Sequence, residues 1–402
     1  MQIKIIKYLL VIFALTNGGK WLMHRNNSEI LPLDFNTYYS ATVAYFSGGN
    51  PYSANDRHLY GIATKSEFNE YEVKTDAHST PVYAPQFVIS FAPFLLLDYN
   101  NARYTQSFLN VLCLLLIAGL ITLFNNQIKF QWALLCLLAF RGTWFAFDNG
   151  QPLFISFAAI LSALYLNEKK GWTYIPAILL SLFSFKFTLI FAPFFYLLYR
   201  KQFATISLWI VLTLVLNLAC LMASEQSLTV LLSTWKDQID FVWINCHTPF
   251  INGLNILSTS SSSTLAYYLP RQLNIIKLGY TLLLLTALIG ITIKIKRGKI
   301  NNTNLLLLVT LVIMAFAQHL LYDLLVLITY GLISYRQTDS IHPITWAFVV
   351  VLLAPIGKIA ELIGLPELNF IVAWIVLAAT FILWFKNNDK PKETDASLLK
   401  EI

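Results

Sequence analysis

From Ser107 to Phe124 the chain carries no charged residue, and the same holds from Phe203 to Ser224 and from Phe370 to Phe385. A hydrocarbon core takes about 20 apolar residues to cross as a helix. Inside lipid the backbone must satisfy its own hydrogen bonds, so such runs read as spanning helices and the chain as an all-α polytopic membrane protein. Composition agrees: 57% of residues are hydrophobic and 12% charged, against about 25% charged in ordinary soluble domains. A net charge of +7 would suit nucleic acid if the basic residues formed one patch. Instead they sit between apolar runs, at Lys129, Lys169 and Lys170, Arg200 and Lys201, and Lys294 to Lys299. That is the pattern of loops retained on the cytoplasmic side, and no nucleic-acid partner is expected.

Met1 to Met23 places Lys4 and Lys7 ahead of an apolar stretch, as a signal peptide does, but without a small-residue cleavage site, so it reads as a retained first helix. Cys113, Cys136 and Cys220 lie inside apolar runs as small packing residues. Only Cys246 falls in a loop, so no disulfide framework is expected.

Phe35, Tyr38, Tyr39, Thr42 and Phe46 recur at helical spacing, predicting a helix over Asp34 to Phe46 that lies along the membrane surface. Gly48, Gly49, Asn50 and Pro51 end it. Pro85 to Leu97 is apolar but short and interrupted by Pro93, which predicts a second interfacial helix. Crossings are then expected at Tyr104 to Phe124, Phe130 to Phe147, Pro152 to Leu166, Trp172 to Tyr199 and Phe203 to Ala223. The stretch from Trp172 is too long for one span, and a turn near Ser184 to Lys186 sends it out and back. Further crossings follow at Leu273 to Ile295, Asn304 to His319, Leu320 to Tyr335, Ile344 to Pro355 and Phe370 to Phe385. The result is one transmembrane domain over 1–386 with about twelve crossings and a cytoplasmic tail over 387–402. Its two large loops, about 24–103 and 225–269, lie outside, together with Asp34, Asp148 to Gln151, Lys186 and the turn from His319 to Asp323.

Each candidate for chemistry has two readings. Asp34 opens the first outer helix, where an acid caps free amides and complements the dipole; it is also the first acid available to a reaction there. His319 and Asp323 share a helix face one turn apart. Either the Asp orients a buried His, or the pair binds a phosphate or hydroxyl, since ionisable residues at membrane depth are costly and face a cavity or one another. Lys186 stands alone between apolar stretches, as a lysine snorkelling to headgroups or as a point charge for a lipid phosphate. Arg141 either neutralises Asp148 or assists that phosphate. No zinc-like cluster, phosphate-cradling glycine loop or nucleophile elbow occurs, and no metal or cofactor is expected.

Beginning at Asp34-Phe35-Asn36-Thr37-Tyr38-Tyr39, the chain resembles glycosyltransferase family 87, the polyprenyl-phosphate-dependent mannosyl- and arabinofuranosyltransferase-like enzymes of the GT-C superfamily. The likeness continues through Gly49-Asn50-Pro51-Tyr52, Tyr83-Ala84-Pro85, Gly150-Gln151, Ser184-Phe185-Lys186 and the turn from His319 to Asp323, and ends near Tyr335. The resemblance implies a GT-C-type fold with extracytoplasmic interfacial helices. It implies inverting transfer of a mannose-like hexose or pentose from a polyprenyl-phosphate donor to a hydroxyl of a lipid or glycan acceptor. The setting would be the outer face of a bacterial inner membrane, whose lipids surround the enzyme. Asp34 matches the general base. A lipid phosphate leaves as a stable anion, so one carboxylate suffices, with Lys186, His319 and Arg141 stabilising the phosphate charge. Tyr38, Tyr39, Tyr83, Gln151 and Asp323 would contact sugar or acceptor. The chain departs from the family at Ala84, where a second proline is common, and at Leu153, where an Asn is common.

Two other classes fit many crossings with few buried polar residues. A secondary transporter would place its site near the midplane of repeated halves, but no repeat is evident and the polar residues collect toward one face. A membrane acyltransferase or ligase would depend on His319 rather than on Asp34.

Overall fold

The computed structural model describes residues 2–25, 33–53, 56, 83–245, 269–297, 302–316, 324–335, 376 and 378, and among these there is no strand. The helices are α1 (Gln2–Arg25), α2 (Leu33–Phe46), α3 (Phe87–Phe91), α4 (Tyr99–Phe124), α5 (Phe130–Ala139), α6 (Arg141–Asp148) and α7 (Leu153–Lys170). They continue as α8 (Tyr174–Phe183), α9 (Phe187–Tyr199), α10 (Phe203–Ala223), α11 (Leu228–Asn245), α12 (Leu273–Lys296), α13 (Asn302–Phe316) and α14 (Leu325–Ser334).

Three of them are long and apolar enough to cross a membrane: α4, α10 and α12, or four spans if the bent pair α5 and α6 counts as one. About twelve crossings are therefore not reached among the described residues, and Ile344 to Pro355 and most of Phe370 to Phe385 lie outside them. The outward faces of α10 and α12 leave Val211, Leu214, Leu218, Leu282, Leu285 and Ile289 exposed. Such continuous apolar faces are stable in hydrocarbon and not in water.

Most of the remaining helices share one apolar core. Phe140, Phe154, Phe157 and Ile160 are fully buried at its centre, where α7 packs on α4 and α8, α9 on α13, and α14 on α4 and α5. A second, aromatic core joins α2 and α3 to Tyr52, Tyr83, Tyr99 and Phe185.

The expected crossing Phe130 to Phe147 is broken at Phe140, where α5 and α6 meet at 69°. Ending a helix in apolar surroundings strands carbonyls, each costly if unpaired. Here side chains take three of them at the end of α5: Thr143 Oγ1 donates to Leu137 O at 2.6 Å, Trp144 Nε1 to Leu138 O at 2.6 Å, and Asn17 Nδ2 to Ala139 O at 3.0 Å.

The stretch from Trp172 breaks where expected, between α8 and α9 at Ser184 to Lys186. Its halves have 10 and 13 residues, about 15 and 20 Å of helix at ~1.5 Å per residue. Each is shorter than the roughly 30 Å of a hydrocarbon core, so the out-and-back path has less helix than two full crossings need. α4 begins five residues before the expected Tyr104, because Asp98 caps it by accepting from Asn101 N at 3.0 Å.

The helix expected over Asp34 to Phe46 is present as α2, but it does not lie half-exposed: Phe35 to Ala44 is buried on every side. Two of its inward-turned polar residues bond to their own helix, Ser40 Oγ to Thr37 O at 3.2 Å and Thr42 Oγ1 to Tyr38 O at 2.7 Å. The second outer loop contains a helix the sequence reading left out, α11. α10, the turn after it and α11 each bond to the end of α2 or to the turn that follows it. Tyr45 Oη donates to Cys220 O at 2.6 Å, Gln226 Nε2 to Gly48 O at 2.9 Å and Asn50 Nδ2 to Thr234 Oγ1 at 3.1 Å.

Candidate active site

Asp34 sits in the first turn of α2 and is partly exposed, whereas the ten residues after it are buried. Two amides of that turn are satisfied from another element. Asp34 N and Phe35 N both donate to Asn149 O, at 3.0 and 3.1 Å. The carboxylate Oδ2 accepts from Gln151 Nε2, 117 positions away in sequence.

Gln151 is held from several directions. After α6, Gly150 adopts φ 64°, a left-handed conformation that glycine takes without strain, and Gln151 N closes the turn on Ala146 O at 2.9 Å. From α4, Gln106 Nε2 donates to Gly150 O at 2.9 Å and Asn110 Nδ2 to Gln151 O at 3.2 Å. Gln106 and Asn110 were missed as site residues. Their signal was a pair of amides four apart, hence on one face of an otherwise apolar helix.

Across the Gln151 side chain, Tyr83 Oη donates to Oε1 at 3.5 Å. The amide orientation is self-consistent, since a carboxylate only accepts and must face the NH2 group, leaving the carbonyl for the phenol. Tyr83 stacks on Tyr38 at 5.0 Å between centroids with 11° between planes. Phe185 tilts against Tyr83 at 5.0 Å. Tyr52 Oη, whose pKa burial pushes well above the ordinary 10.0, donates to Tyr83 O at 2.9 Å.

Lys186 follows Phe185 and is only 8% exposed, which does not suit a lysine snorkelling outward. The kink that places it is pinned by Trp209 Nε1 donating to Ser184 Oγ at 3.1 Å. Asp34, Tyr38, Tyr83 and Gln151 are thus brought together, with Phe185 joined to them and Lys186 adjoining it.

Tyr39 turns elsewhere: its hydroxyl donates to Leu97 O at 3.1 Å and its ring packs against Phe35 and Tyr99. Arg141 stands at the far end of α6 from Asp148, about 10 Å along the axis at ~1.5 Å per residue. His319 and Asp323 lie outside the described residues. Gln151, expected to bond sugar hydroxyls, here gives an amide hydrogen to Asp34.

A partly exposed carboxylate, an aromatic wall and an adjoining buried lysine suit a reaction in which a hydroxyl loses a proton and an anion departs. The family model for glycosyltransferase family 87 matches residues 82–317, more than half of the 402-residue chain. The matched stretch takes in Tyr83, Arg141, Gln151 and Lys186; Asp34, Tyr38 and Tyr39 precede it, and His319 and Asp323 follow it. No curated protein and no solved structure matches the chain. Apolar spans, an all-helical fold and this match together make the chain a membrane glycosyltransferase, and it belongs to glycosyltransferase family 87.

Proposed function

We propose that the chain transfers a mannose-like hexose or pentose from a polyprenyl-phosphate donor to a hydroxyl of a lipid or glycan acceptor, with inversion, on the extracytoplasmic face of a bacterial inner membrane. Asp34 is the general base. The observation that carries this reading is the Asp34 carboxylate, partly exposed and hydrogen-bonded by Gln151, which also meets the Tyr83 ring stacked on Tyr38.

In an inverting displacement the acceptor oxygen attacks the anomeric carbon as the bond to phosphate breaks on the opposite side. The hydroxyl proton passes to Asp34, and the lipid phosphate departs as an anion that needs no proton. Lys186, His319 and Arg141 are the cations assigned to the charge growing on that phosphate. Stacked tyrosines suit the flat apolar face of a sugar ring, and Asp323 and Tyr39 remain assigned to sugar or acceptor.

The test supplies purified protein in lipid nanodiscs with a panel of polyprenyl-phosphate-linked mannose, glucose and arabinofuranose together with a membrane lipid extract as acceptor. Transfer of one sugar supports the proposal. Failure of every donor, alongside turnover of a nucleotide sugar, would replace it.

A further inference from the structure

The Gln151 amide bridges two groups that a sugar-binding residue would have left free for substrate: one end donates to Asp34 Oδ2, the other accepts from Tyr83 Oη at 3.5 Å. Its backbone is fixed just as closely, with N bonded to Ala146 O and O accepting from Asn110 Nδ2. At 1% exposure the side chain has little freedom to swing toward a substrate. We propose that Gln151 is a positioning residue, whose N–H aims the Asp34 carboxylate and holds it ionised for proton abstraction. This rests on the reading of Asp34 as base.

The physical ground is that a hydrogen bond donated to a carboxylate favours its charged form, and losing that bond makes protonation easier. Tyr83 orients the amide so that N–H rather than carbonyl meets Asp34. Other ionisable groups on the surrounding elements include Asp148 before the Asn149 turn and Arg141 at the other end of α6, Arg103 one turn before Gln106 on α4, Lys186 beside Phe185, and the phenols of Tyr38, Tyr39 and Tyr83. None of them is altered by substitution at 151, so a difference between variant and wild type reads the loss of the Gln151 amide.

The test labels purified full-length protein with dicyclohexylcarbodiimide, which attacks only the protonated carboxyl, and follows modification of Asp34 by mass spectrometry against pH. Gln151→Met removes the donor, and Gln151→Glu keeps the shape but sets a second carboxyl against the first. Both should move the midpoint of labelling upward, Met by about one pH unit and Glu by more, as expected where a hydrogen bond is lost or a like charge is added. Should substitution at 151 prevent folding, Tyr83→Phe frees the far end of the amide and should give a smaller shift in the same direction.

Variants that fold and label at the wild-type midpoint overturn the proposal. Weaker donor binding at every pH, again with an unmoved midpoint, would return Gln151 to the sugar. A parallel assay of Asp34→Asn keeps the two readings apart. Full transfer by that variant, with the labelling shifts intact, would remove Asp34 as base while leaving the Gln151 bond to it in place.

Discussion

Asp34 lies in the first turn of α2, where its own amide and that of Phe35 both donate to Asn149 O. From the sequence alone the ordinary capping role is the favoured reading, and the contact with Gln151 gives the carboxylate a partner outside its own helix. Gly150 is the residue on which the arrangement turns, since at φ 64° any other residue except Asn or Asp carries a left-handed penalty of roughly 1–2 kcal/mol. Gly150→Ala is therefore expected to lower stability by about 1 kcal/mol and to lower activity further by tilting Gln151; thermal unfolding and transfer rate measure the two. Asp34 and Lys186 were legible as candidates because polar residues are rare in this chain, while Tyr83 and Gln151 entered through the family resemblance. Their contacts were not legible, since nothing local says that a side chain in α2 and one 117 positions on will meet. The spacing of Tyr38 and Tyr39 made both look alike, yet consecutive residues on a helix point about 100° apart, and only Tyr38 stacks on Tyr83.

Among the elements, the break between α5 and α6 has the clearest energetic signature. Thr143→Val keeps shape but leaves Leu137 O without the bond it receives at 2.6 Å. The expected loss is about 1–3 kcal/mol, the cost of an unsatisfied buried acceptor, read by unfolding in detergent. Hydropathy could not reveal this break, because Phe130 to Phe147 is apolar apart from Gln131, Arg141 and Thr143, and the bend rests on caps reaching across it.

The start of α4 is a pH-sensitive counterpart. The Asn101 amide bound by Asp98 holds that carboxyl below its ordinary 3.8. A carboxylate lowered in the fold stabilises it fully above the ordinary value, and that contribution is lost as pH falls through the lowered one. Asp98→Ala should thus unfold at lower temperature than wild type at neutral pH, with the gap closing below about pH 3.8.

At the scale of the whole molecule, the all-α membrane class followed directly from charge-free runs, and α10 falls where the sequence placed it. α11 was hidden because its apolar residues are interleaved with Lys236, Asp237 and Asp240, so the segment reads as a loop by hydropathy. The orientation rests on basic loops alone. Reporters fused after Lys65 and after Lys170 should report opposite sides of the membrane, the first outside, and a common side would invert or remake the arrangement.

The proposed reaction turns on one proton leaving an acceptor hydroxyl for Asp34. Its most direct test is the single-turnover rate of Asp34→Asn against wild type, with a polyprenyl-phosphate sugar that wild type accepts and with folding verified by thermal unfolding. A loss of about 10³-fold, within the range for removing a general base, is the expected result; a folded variant that transfers sugar at the wild-type rate would contradict it.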